Sequence, residues 1–145
     1  MKRIQKSALV PYAPEKMFDL VNDIESYPKF LPWCKSAKIT AHSDEKLTAS
    51  ITMGGAGLKK SFTTQNTLKA SESIDMRLVE GPFSHLHGQW TFHALGDSGC
   101  KISLNMEFEI SNKLLRLSLE PVFTKIVNTL VDAFVQRANT LYGKA

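Results

Sequence analysis

The sequence predicts an α+β fold in which a curved, seven-stranded antiparallel sheet packs around one long carboxy-terminal helix, with two short helices after the first strand. Three observations predict it. Apolar and polar residues alternate through the middle of the chain, short turn-rich links join these stretches, and the last residues carry an apolar stripe at helical spacing. A sheet with one apolar face and a helix with one apolar stripe bury that surface by packing together.

The first part of the chain predicts a strand followed by two short helices. Residues 2–10 are rich in β-compatible side chains, and Pro14 begins a helix with apolar residues on one side. Residues 24–30 can form only a short or broken helix, because Pro28 lacks a backbone N–H. The apolar loop of residues 30–34 then either closes one end of the core or forms the mouth of a ligand cavity.

Six further strands follow as a meander. Alternation is clearest in residues 84–95 and 100–110, where one face is apolar and the other polar. The four strands before them contain the apolar sets Ala37, Ile39 and Ala41; Leu47, Ala49, Ile51 and Met53; Leu58, Phe62 and Leu68, with gaps; and Ile74, Met76 and Leu78. The links, among them residues 54–57, are too short for crossover helices, so neighbouring strands should be antiparallel.

Residues 119–145 predict the long helix, with Ser118 as its cap, Pro121 in its first turn and Gly143 at its end. Its apolar arc of roughly 160° contains Leu119, Val122, Phe123, Ile126, Val127, Leu130, Ala133, Phe134, Ala138 and Leu141. Arg137 falls at the centre of this arc, and a guanidinium is rarely buried alone. It therefore pairs with an acidic group, lies at an open end with its stem packed, or meets a ligand.

Length and composition are those of an ordinary globular chain. The 145 residues fit one domain, and the net charge of +4 would suit nucleic acid or an anionic membrane, but the basic residues are too dispersed to indicate a binding stretch. We find no secretory signal and no apolar run that could span a bilayer, so we expect a cytoplasmic protein. Cys34 and Cys100 lie far apart, which indicates two reduced thiols.

No catalytic or metal site is predicted. His85, His87 and His93 on the sixth strand are the best metal candidates, but His93 lies about 20 Å along the strand from His87. They are better explained as polar residues that face solvent. The glycine-rich stretch before Lys59 lacks the phosphate-loop pattern and predicts a hairpin. We therefore expect no catalytic residues, no metal, no cofactor and no enzymatic activity.

Five motifs together carry a resemblance to a known family. They are Phe18-Asp19-Leu20-Val21, Tyr27-Pro28, Phe30-Leu31-Pro32-Trp33-Cys34, Gly88-Gln89-Trp90-Thr91-Phe92 and Phe134-Val135-Gln136-Arg137-Ala138. Over essentially the whole chain, these motifs and the order of elements resemble the bacterial ribosome-association toxins and their relatives, the mitochondrial coenzyme Q-binding proteins. Both belong to the START-like superfamily, also called SRPBCC. The resemblance implies a single helix-grip, Bet v-like domain over residues 1–145, with a cavity under the helix.

The resemblance implies two functions. The eukaryotic relatives bind ubiquinone in the cavity and support respiration as carriers or chaperones. The bacterial members are described as binding the large (50S) ribosomal subunit and blocking formation of the 70S ribosome. An older label, oligoketide cyclase or dehydratase, comes from other proteins of this fold, and a shared fold is poor support for shared chemistry. We predict a carrier of ubiquinone or a related isoprenoid, and as the alternative a ribosome-association toxin.

The predicted ligand-binding residues are large side chains that would surround the cavity. They are Phe30, Trp33, Met53, Phe62, Trp90, Phe92, Met106, Phe134 and Arg137. Methionine is a flexible filler suited to a prenyl tail, and Arg137 would orient a quinone carbonyl. The alternative for each apolar member is that it fills the core. The expected partners are ubiquinone or a similar lipid, the large ribosomal subunit and, transiently, the surface of the inner membrane, but not DNA.

Overall fold

The structure is a computed structural model that describes residues 1–55 and 57–143. Ala56 of the predicted turn at residues 54–57, and residues 144 and 145 of the predicted helix, lie outside the described residues. The elements are β1 (Lys2–Val10), α1 (Pro14–Asn22), a 3-10 helix (Ile24–Lys29), β2 (Cys34–His42), β3 (Lys46–Gly55), β4 (Leu58–Lys69), β5 (Ser73–Glu80), β6 (Phe83–Leu95), β7 (Gly99–Ile110) and α2 (Lys113–Tyr142).

The seven strands form one antiparallel sheet in the order β1-β7-β6-β5-β4-β3-β2, which confirms the predicted meander. Strands β1 and β2 are therefore its edges. The pairing of β2 is irregular, with register shifts between Cys34 and Ser36 and between Ile39 and Ala41. The backbone N–H of Ile39 donates to Oε2 of Glu25 on the 3-10 helix at 3.0 Å. The row of free backbone groups on the outer side of β2 is thus interrupted.

Helix α2 packs on the inner face of the sheet through two groups of aromatic rings. The first, the Phe123 cluster, consists of Phe62, Phe83, Phe108 and Phe123, and the ring centre of Phe123 lies 4.7 Å from that of Phe108 and 4.9 Å from that of Phe83. All four rings are buried. The amino-terminal half of α2 is therefore fixed to β4, β6 and β7.

The second group, the Phe134 cluster, consists of Tyr27, Phe30, Trp90 and Phe134. The ring centre of Phe134 lies 5.3 Å from that of Trp90 and 5.4 Å from those of Tyr27 and Phe30, in edge-on geometry. Phe123 and Phe134 are eleven residues apart, which is about 16 Å along a helix. The helix is thus attached at two separate places along its length.

The predicted start of the long helix is wrong. Helix α2 begins at Lys113 and is capped by Asn112, whose Oδ1 accepts from the N–H groups of Leu114 at 2.8 Å and Leu115 at 3.2 Å. Ser118 lies inside the helix, and its hydroxyl donates to the carbonyl oxygen of Leu115 at 3.2 Å. The helix is therefore six residues longer at this end than the apolar pattern indicates.

Two features of this region explain the error. Pro121 lies inside α2 rather than in its first turn. Leu114 and Leu117 are each 78% exposed, so the first turns of the helix lack the buried stripe by which a helix is recognised. The predicted end is correct, since α2 ends at Tyr142 and the N–H of Gly143 donates to the carbonyl oxygen of Asn139.

The predicted apolar arc of the helix needs two corrections. Leu141 is 47% exposed although the arc includes it, while Val131, which the arc omits, is buried. The remaining arc residues are buried or half-buried, as predicted. Both cysteines are buried and free, and burial raises the pKa of the Cys34 thiol to about 11. Among the described residues, no helix is both long and apolar enough to cross a membrane.

We expect Asn112→Ala to lower the free energy of unfolding by about 1 kcal/mol, because two N–H groups of the first turn lose their acceptor. Ser118→Ala is the matched control, and we expect it to change stability by less than about 0.5 kcal/mol, since alanine suits a helix interior. Urea unfolding followed by circular dichroism measures both. A larger loss for Ser118→Ala than for Asn112→Ala would contradict the observed cap.

Candidate functional site

A cavity lies between α2 and the sheet, in the space that separates the Phe123 cluster from the Phe134 cluster. Helix α2 contributes Ile126, Val127 and Leu130, which fall between the two anchoring rings in sequence. The walls include members of both clusters, among them Phe62 and Trp90. The room open to the centre of a water molecule is about 60 Å³. This holds a few waters, at roughly 10–15 Å³ each, rather than a large ligand.

Gly88 on β6 makes room for two methionines that line the cavity. A Cβ on Gly88 would lie 2.6 Å from Cε of Met76 and 2.9 Å from Sδ of Met106. Strand pairing brings these three residues side by side in one row on the inner face. Because methionine side chains are unbranched and flexible, this part of the wall can change shape.

The cavity opens on the side of β2 and β3. The backbone of α2 lies closest to β1, β7 and α1, which leaves the other half of the inner face less covered. Five lining residues are half-buried, Asn22, Trp33, Ile51, Met76 and Leu130. We assign the mouth to Trp33, Ile51 and Leu130, because Trp33 and Ile51 lie on the less covered side of the sheet. The apolar loop is divided between core and cavity, because Leu31 and Cys34 are buried in the core while Trp33 lines the cavity.

Three polar side chains, Asn22, Thr64 and Asn66, line this otherwise apolar space together with Tyr27, whose hydroxyl donates to the carbonyl oxygen of Val21. The Thr64 hydroxyl donates to Oδ1 of Asn66 at 2.9 Å, and both residues are buried. Within residues 1–55 and 57–143, Oδ1 of Asn22 is buried without a donor, and no acceptor contacts the amide nitrogen of Asn66. Because buried polar groups are nearly always hydrogen-bonded, Oδ1 of Asn22 is a candidate ligand contact. The amide nitrogen of Asn66 is a second candidate, because its side chain lines the cavity.

None of these polar residues is among those predicted from the sequence, although the sequence contains a sign of Thr64 and Asn66. Thr64 and Asn66 occupy the inward positions of β4 between Phe62 and Leu68, where the apolar alternation has gaps. An inward polar residue in an otherwise apolar strand marks either a broken pattern or the wall of a cavity. In β4 the alternation of inward and outward residues is intact, and the cavity wall is polar at Thr64 and Asn66.

The structure brings four of the nine predicted ligand-binding residues to the cavity wall, namely Trp33, Phe62, Trp90 and Met106. Four more pack in or against the core around the cavity without lining it: Phe30, Met53, Phe92 and Phe134. The rings of Phe30 and Phe134 belong to the Phe134 cluster, so their contacts are with other rings. A role of all eight in ligand binding remains a prediction.

The ninth predicted residue, Arg137, lies apart from the cavity. Its guanidinium carbon is 5.0 Å from the ring centre of Phe30, and its Nε is buried without an acceptor. The described residues provide no ion pair for it. Of the alternatives that the sequence left open, the packed stem fits best, with the cationic head over an aromatic ring.

The three histidines of β6 face the outer side of the sheet; His93 is exposed, while His85 and His87 contact carboxylates. Nε2 of His85 lies 3.0 Å from Oε1 of Glu107, and Nε2 of His87 lies 2.6 Å from Oδ1 of Asp75. The hydrogen bond from His85 lowers the pKa of Glu107 below its usual value, with a smaller contribution from the charge of Arg3. No three His, Cys, Asp or Glu side chains of the described chain are placed to hold a metal ion.

The outer side of β2, β3 and β4 differs, because its central side chains are hydroxyls. The Oγ atoms of Ser50 and Thr63 are 2.6 Å apart, and those of Thr52 and Ser61 are 2.7 Å apart. Each pair joins residues that lie opposite each other on β3 and β4. Hydroxyls both donate and accept hydrogen bonds, so this strip can serve partners of either kind.

Three exposed lysines border the hydroxyl pairs. Lys38 lies opposite Ser50, and Lys59 lies opposite Gly54. The stem of Lys35 runs over Gly54, where a Cβ would be 2.7 Å from its Cγ. We call the whole surface the lysine–hydroxyl face, made of Lys35, Lys38, Ser50, Thr52, Lys59, Ser61 and Thr63. Glu80, opposite Thr63, begins the half of the sheet that carries carboxylates.

Comparison with known proteins relates the chain to one family. The family described as polyketide cyclase / dehydrase and lipid transport matches residues 10–135. The ribosome association toxin RatA of Pseudomonas aeruginosa is 47% identical over 140 residues, which cover 97% of each chain. Its namesake from Vibrio cholerae is 42% identical over 144 residues, covering 99% of this chain and 100% of the other. A mitochondrial coenzyme Q-binding protein homolog of Xenopus laevis is 25% identical over 150 residues, covering 99% of this chain and 61% of that one.

Solved structures share the architecture. The solution structure of an 18 kDa protein from Caulobacter crescentus has a TM-score of 0.77 at 30% identity, covering 99% of this chain and 100% of the other. A START superfamily protein of Mycobacterium smegmatis has a TM-score of 0.80 at 19% identity over 96% and 98% of the two chains. A Streptomyces aromatase/cyclase has a TM-score of 0.85 at 15% identity over 99% and 98%. These matches confirm the predicted START-like helix-grip fold.

We expect Arg137→Met to change the free energy of unfolding by less than about 1 kcal/mol. Methionine keeps the packing of the stem on Phe30, and the lost cation–π contact is offset because no buried Nε is left without an acceptor. Arg137→Ala also removes the stem and should cost about 1–2 kcal/mol more. Urea unfolding measures both variants. A loss above about 3 kcal/mol for Arg137→Met would instead indicate a buried ion pair.

Proposed function

This chain belongs to the polyketide cyclase / dehydrase and lipid transport family, and on that premise we propose that it associates with the large ribosomal subunit and blocks its joining to the small one. One observation carries the proposal, the 47% identity over 97% of both chains with a protein named ribosome association toxin. A relative of the same name from Escherichia coli is 42% identical over 143 residues. The large subunit as the target is what the family resemblance implies.

The lysine–hydroxyl face supports contact with ribosomal RNA. Protein–RNA affinity is led by neutralisation of phosphates, to which lysines and hydroxyls both donate hydrogen bonds. Lys35, Lys38 and Lys59 are exposed, and none of them forms an ion pair within the described part of the chain. On the other half of the outer face, Arg3 and Arg77 are paired with the carboxylates of Glu107 and Asp75, so these cations are already neutralised. We therefore assign the RNA contact to the half made of β2, β3 and β4.

A triple charge reversal, Lys35→Glu, Lys38→Glu and Lys59→Glu, tests this assignment. We expect the natural protein to sediment with the large subunit at low salt, and the triple variant to lose at least tenfold in affinity because repulsion replaces three phosphate contacts. The control, Lys101→Glu, Lys113→Glu and Lys125→Glu, has the same net charge, since +4 minus 6 is −2 for both. Sucrose-gradient sedimentation at graded salt measures all three proteins.

The outcomes of the sedimentation experiment separate two statements. If the natural protein fails to migrate with the large subunit at low salt, ribosome association is wrong. If it migrates and both triple variants lose binding equally, then net charge matters and the assignment to the lysine–hydroxyl face is wrong. Retention of binding by the control alone supports both statements.

The cavity favours a second function, and we propose that the protein also binds ubiquinone or a related hydrophobic isoprenoid there, as a carrier or chaperone that supports respiration. The support is the apolar lining, together with the distant relative named as a coenzyme Q-binding protein, at 25% identity. The cavity of about 60 Å³ is smaller than the roughly 300 Å³ at which ligand pockets begin. Loading therefore requires that Met76, Met106 and Leu130 move aside.

We propose binding rather than catalysis in this cavity. Among its described lining residues, Tyr27 is the one ionisable side chain, and its hydroxyl is engaged with the carbonyl oxygen of Val21. Burial raises the pKa of Tyr27 well above its usual value, so it cannot exchange protons near neutral pH. Ubiquinone would then be cargo rather than a catalytic cofactor. We place the protein in the cytoplasm, with transient contact to the inner membrane during loading.

The variant Ile51→Trp tests cavity binding, because a larger ring at the half-buried mouth should obstruct entry. We expect an organic extract of the natural protein to contain an isoprenoid quinone by mass spectrometry, and the extract of Ile51→Trp to contain several-fold less. Sedimentation with the large subunit should not change, since Ile51 faces the side of the sheet opposite the lysine–hydroxyl face. An empty extract from the natural protein, with no saturable binding of added ubiquinone, would exclude the carrier function.

A further inference from the structure

We propose that the cavity binds a ligand made of a neutral, oxygen-bearing ring and an apolar chain, and that the ring enters first. The amide nitrogen of Asn66 donates a hydrogen bond to an oxygen on the ring. The chain leaves through the mouth at Trp33, Ile51 and Leu130. This inference rests on the second proposed function, the binding of an isoprenoid in the cavity. It names the polar contact, the class of head group and the direction of the ligand.

The position and orientation of Asn66 support the proposed hydrogen bond. Asn66 is 3% exposed, lines the cavity and lies beside Met76 on the inner face. Its Oδ1 accepts from the Thr64 hydroxyl, which fixes the plane of the amide and leaves the nitrogen without an acceptor among the described residues. The nitrogen is therefore free to donate to an oxygen of a ligand in the cavity.

The charge of the lining defines the head group. No lysine, arginine, aspartate or glutamate of the described chain lines the cavity, so an ionised head would enter without a counter-charge. A pure hydrocarbon would fit the apolar walls but would leave the donor of Asn66 unsatisfied. A ligand that suits both conditions is a neutral ring with oxygen substituents, which includes quinones. A carbonyl or ether oxygen would accept from Asn66, and a hydroxyl could also donate to Oδ1 of Asn22.

The depth of Asn66 determines the direction. Ile51 at the mouth lies opposite Phe62, four residues along β4 from Asn66, which is about 13 Å. Trp33 accepts a hydrogen bond from Gly54, which lies opposite Lys59, about 23 Å along β4 from Asn66. A ring bound at Asn66 would therefore be deep, while a chain attached to it would run to the mouth. The limited volume also favours enclosing the ring alone.

The contact is tested with two probes of similar size, decylubiquinone and decylbenzene. We expect Asn66→Leu, which keeps the shape of the side chain, to weaken binding of decylubiquinone about tenfold without weakening decylbenzene. Thr64→Val, which frees the amide to rotate, should weaken decylubiquinone about threefold. Asn105→Leu on the outer face is the matched control and should bind both probes like the natural protein.

The outcomes separate this inference from the function on which it rests. If the natural protein binds neither probe, the isoprenoid function itself is wrong. If it binds decylubiquinone, but Asn66→Leu binds that probe equally well or loses both probes to the same extent, the Asn66 contact is wrong. Selective loss of the quinone in Asn66→Leu, together with unchanged binding in Asn105→Leu, supports the contact.

Fluorescence of the two tryptophans tests the direction. Trp90 is 1% exposed and lines the interior of the cavity, whereas Trp33 is half-buried at the mouth. In Trp33→Phe, which retains Trp90, bound decylubiquinone should quench emission more strongly than in Trp90→Phe, which retains Trp33. Stronger quenching of Trp33 at saturation would mean that the chain enters first, and would overturn the ring-first orientation.

Discussion

The edge-on packing of rings at two points along α2 is the constraint on which the structure depends. Phe123 and Phe134 each contact three other aromatic rings, and such pairs contribute about 0.5–1.5 kcal/mol beyond the area they bury. A helix is stiff over the ten residues between them, so it cannot bend into the hollow of a curved sheet. The side chains between the anchors leave space unfilled. The attachment of the helix and the existence of the cavity therefore have one cause.

The sequence predicted the sheet well because alternation reports which face of a strand is buried. On β7 every second residue from Cys100 to Ile110 is buried, and the prediction there needed no other information. The sequence cannot predict the cavity lining in the same way. A residue that faces a cavity and one that fills the core both point to the inner face of the sheet, so they occupy the same positions in the alternation. Thr64 and Asn66 interrupt the apolar alternation of β4, and four of the predicted ligand residues pack around the cavity without lining it.

The helix shows a different limit of sequence reasoning. The apolar stripe predicts its middle, but its first turns expose Leu114 and Leu117, and placing Pro121 in the first turn predicts a start six residues after the observed one. An apolar stripe indicates which part of a helix packs on the core, whereas a capping residue such as Asn112 indicates where the helix begins. Arg137 is similar, since its position on the helix was correct and only the place of Phe30 in space decides what it contacts.

The irregular β2 edge has a consequence for the behaviour of the protein at high concentration. An open sheet presents unpaired backbone groups to which a strand of another molecule can add, and this is a common route to aggregation. On β2, the two register shifts break the ladder, and the Glu25 carboxylate occupies the N–H of Ile39. An incoming strand would have to displace a charged side chain from the same molecule. The β2 edge can therefore remain open beside the cavity without acting as a template for fibrils.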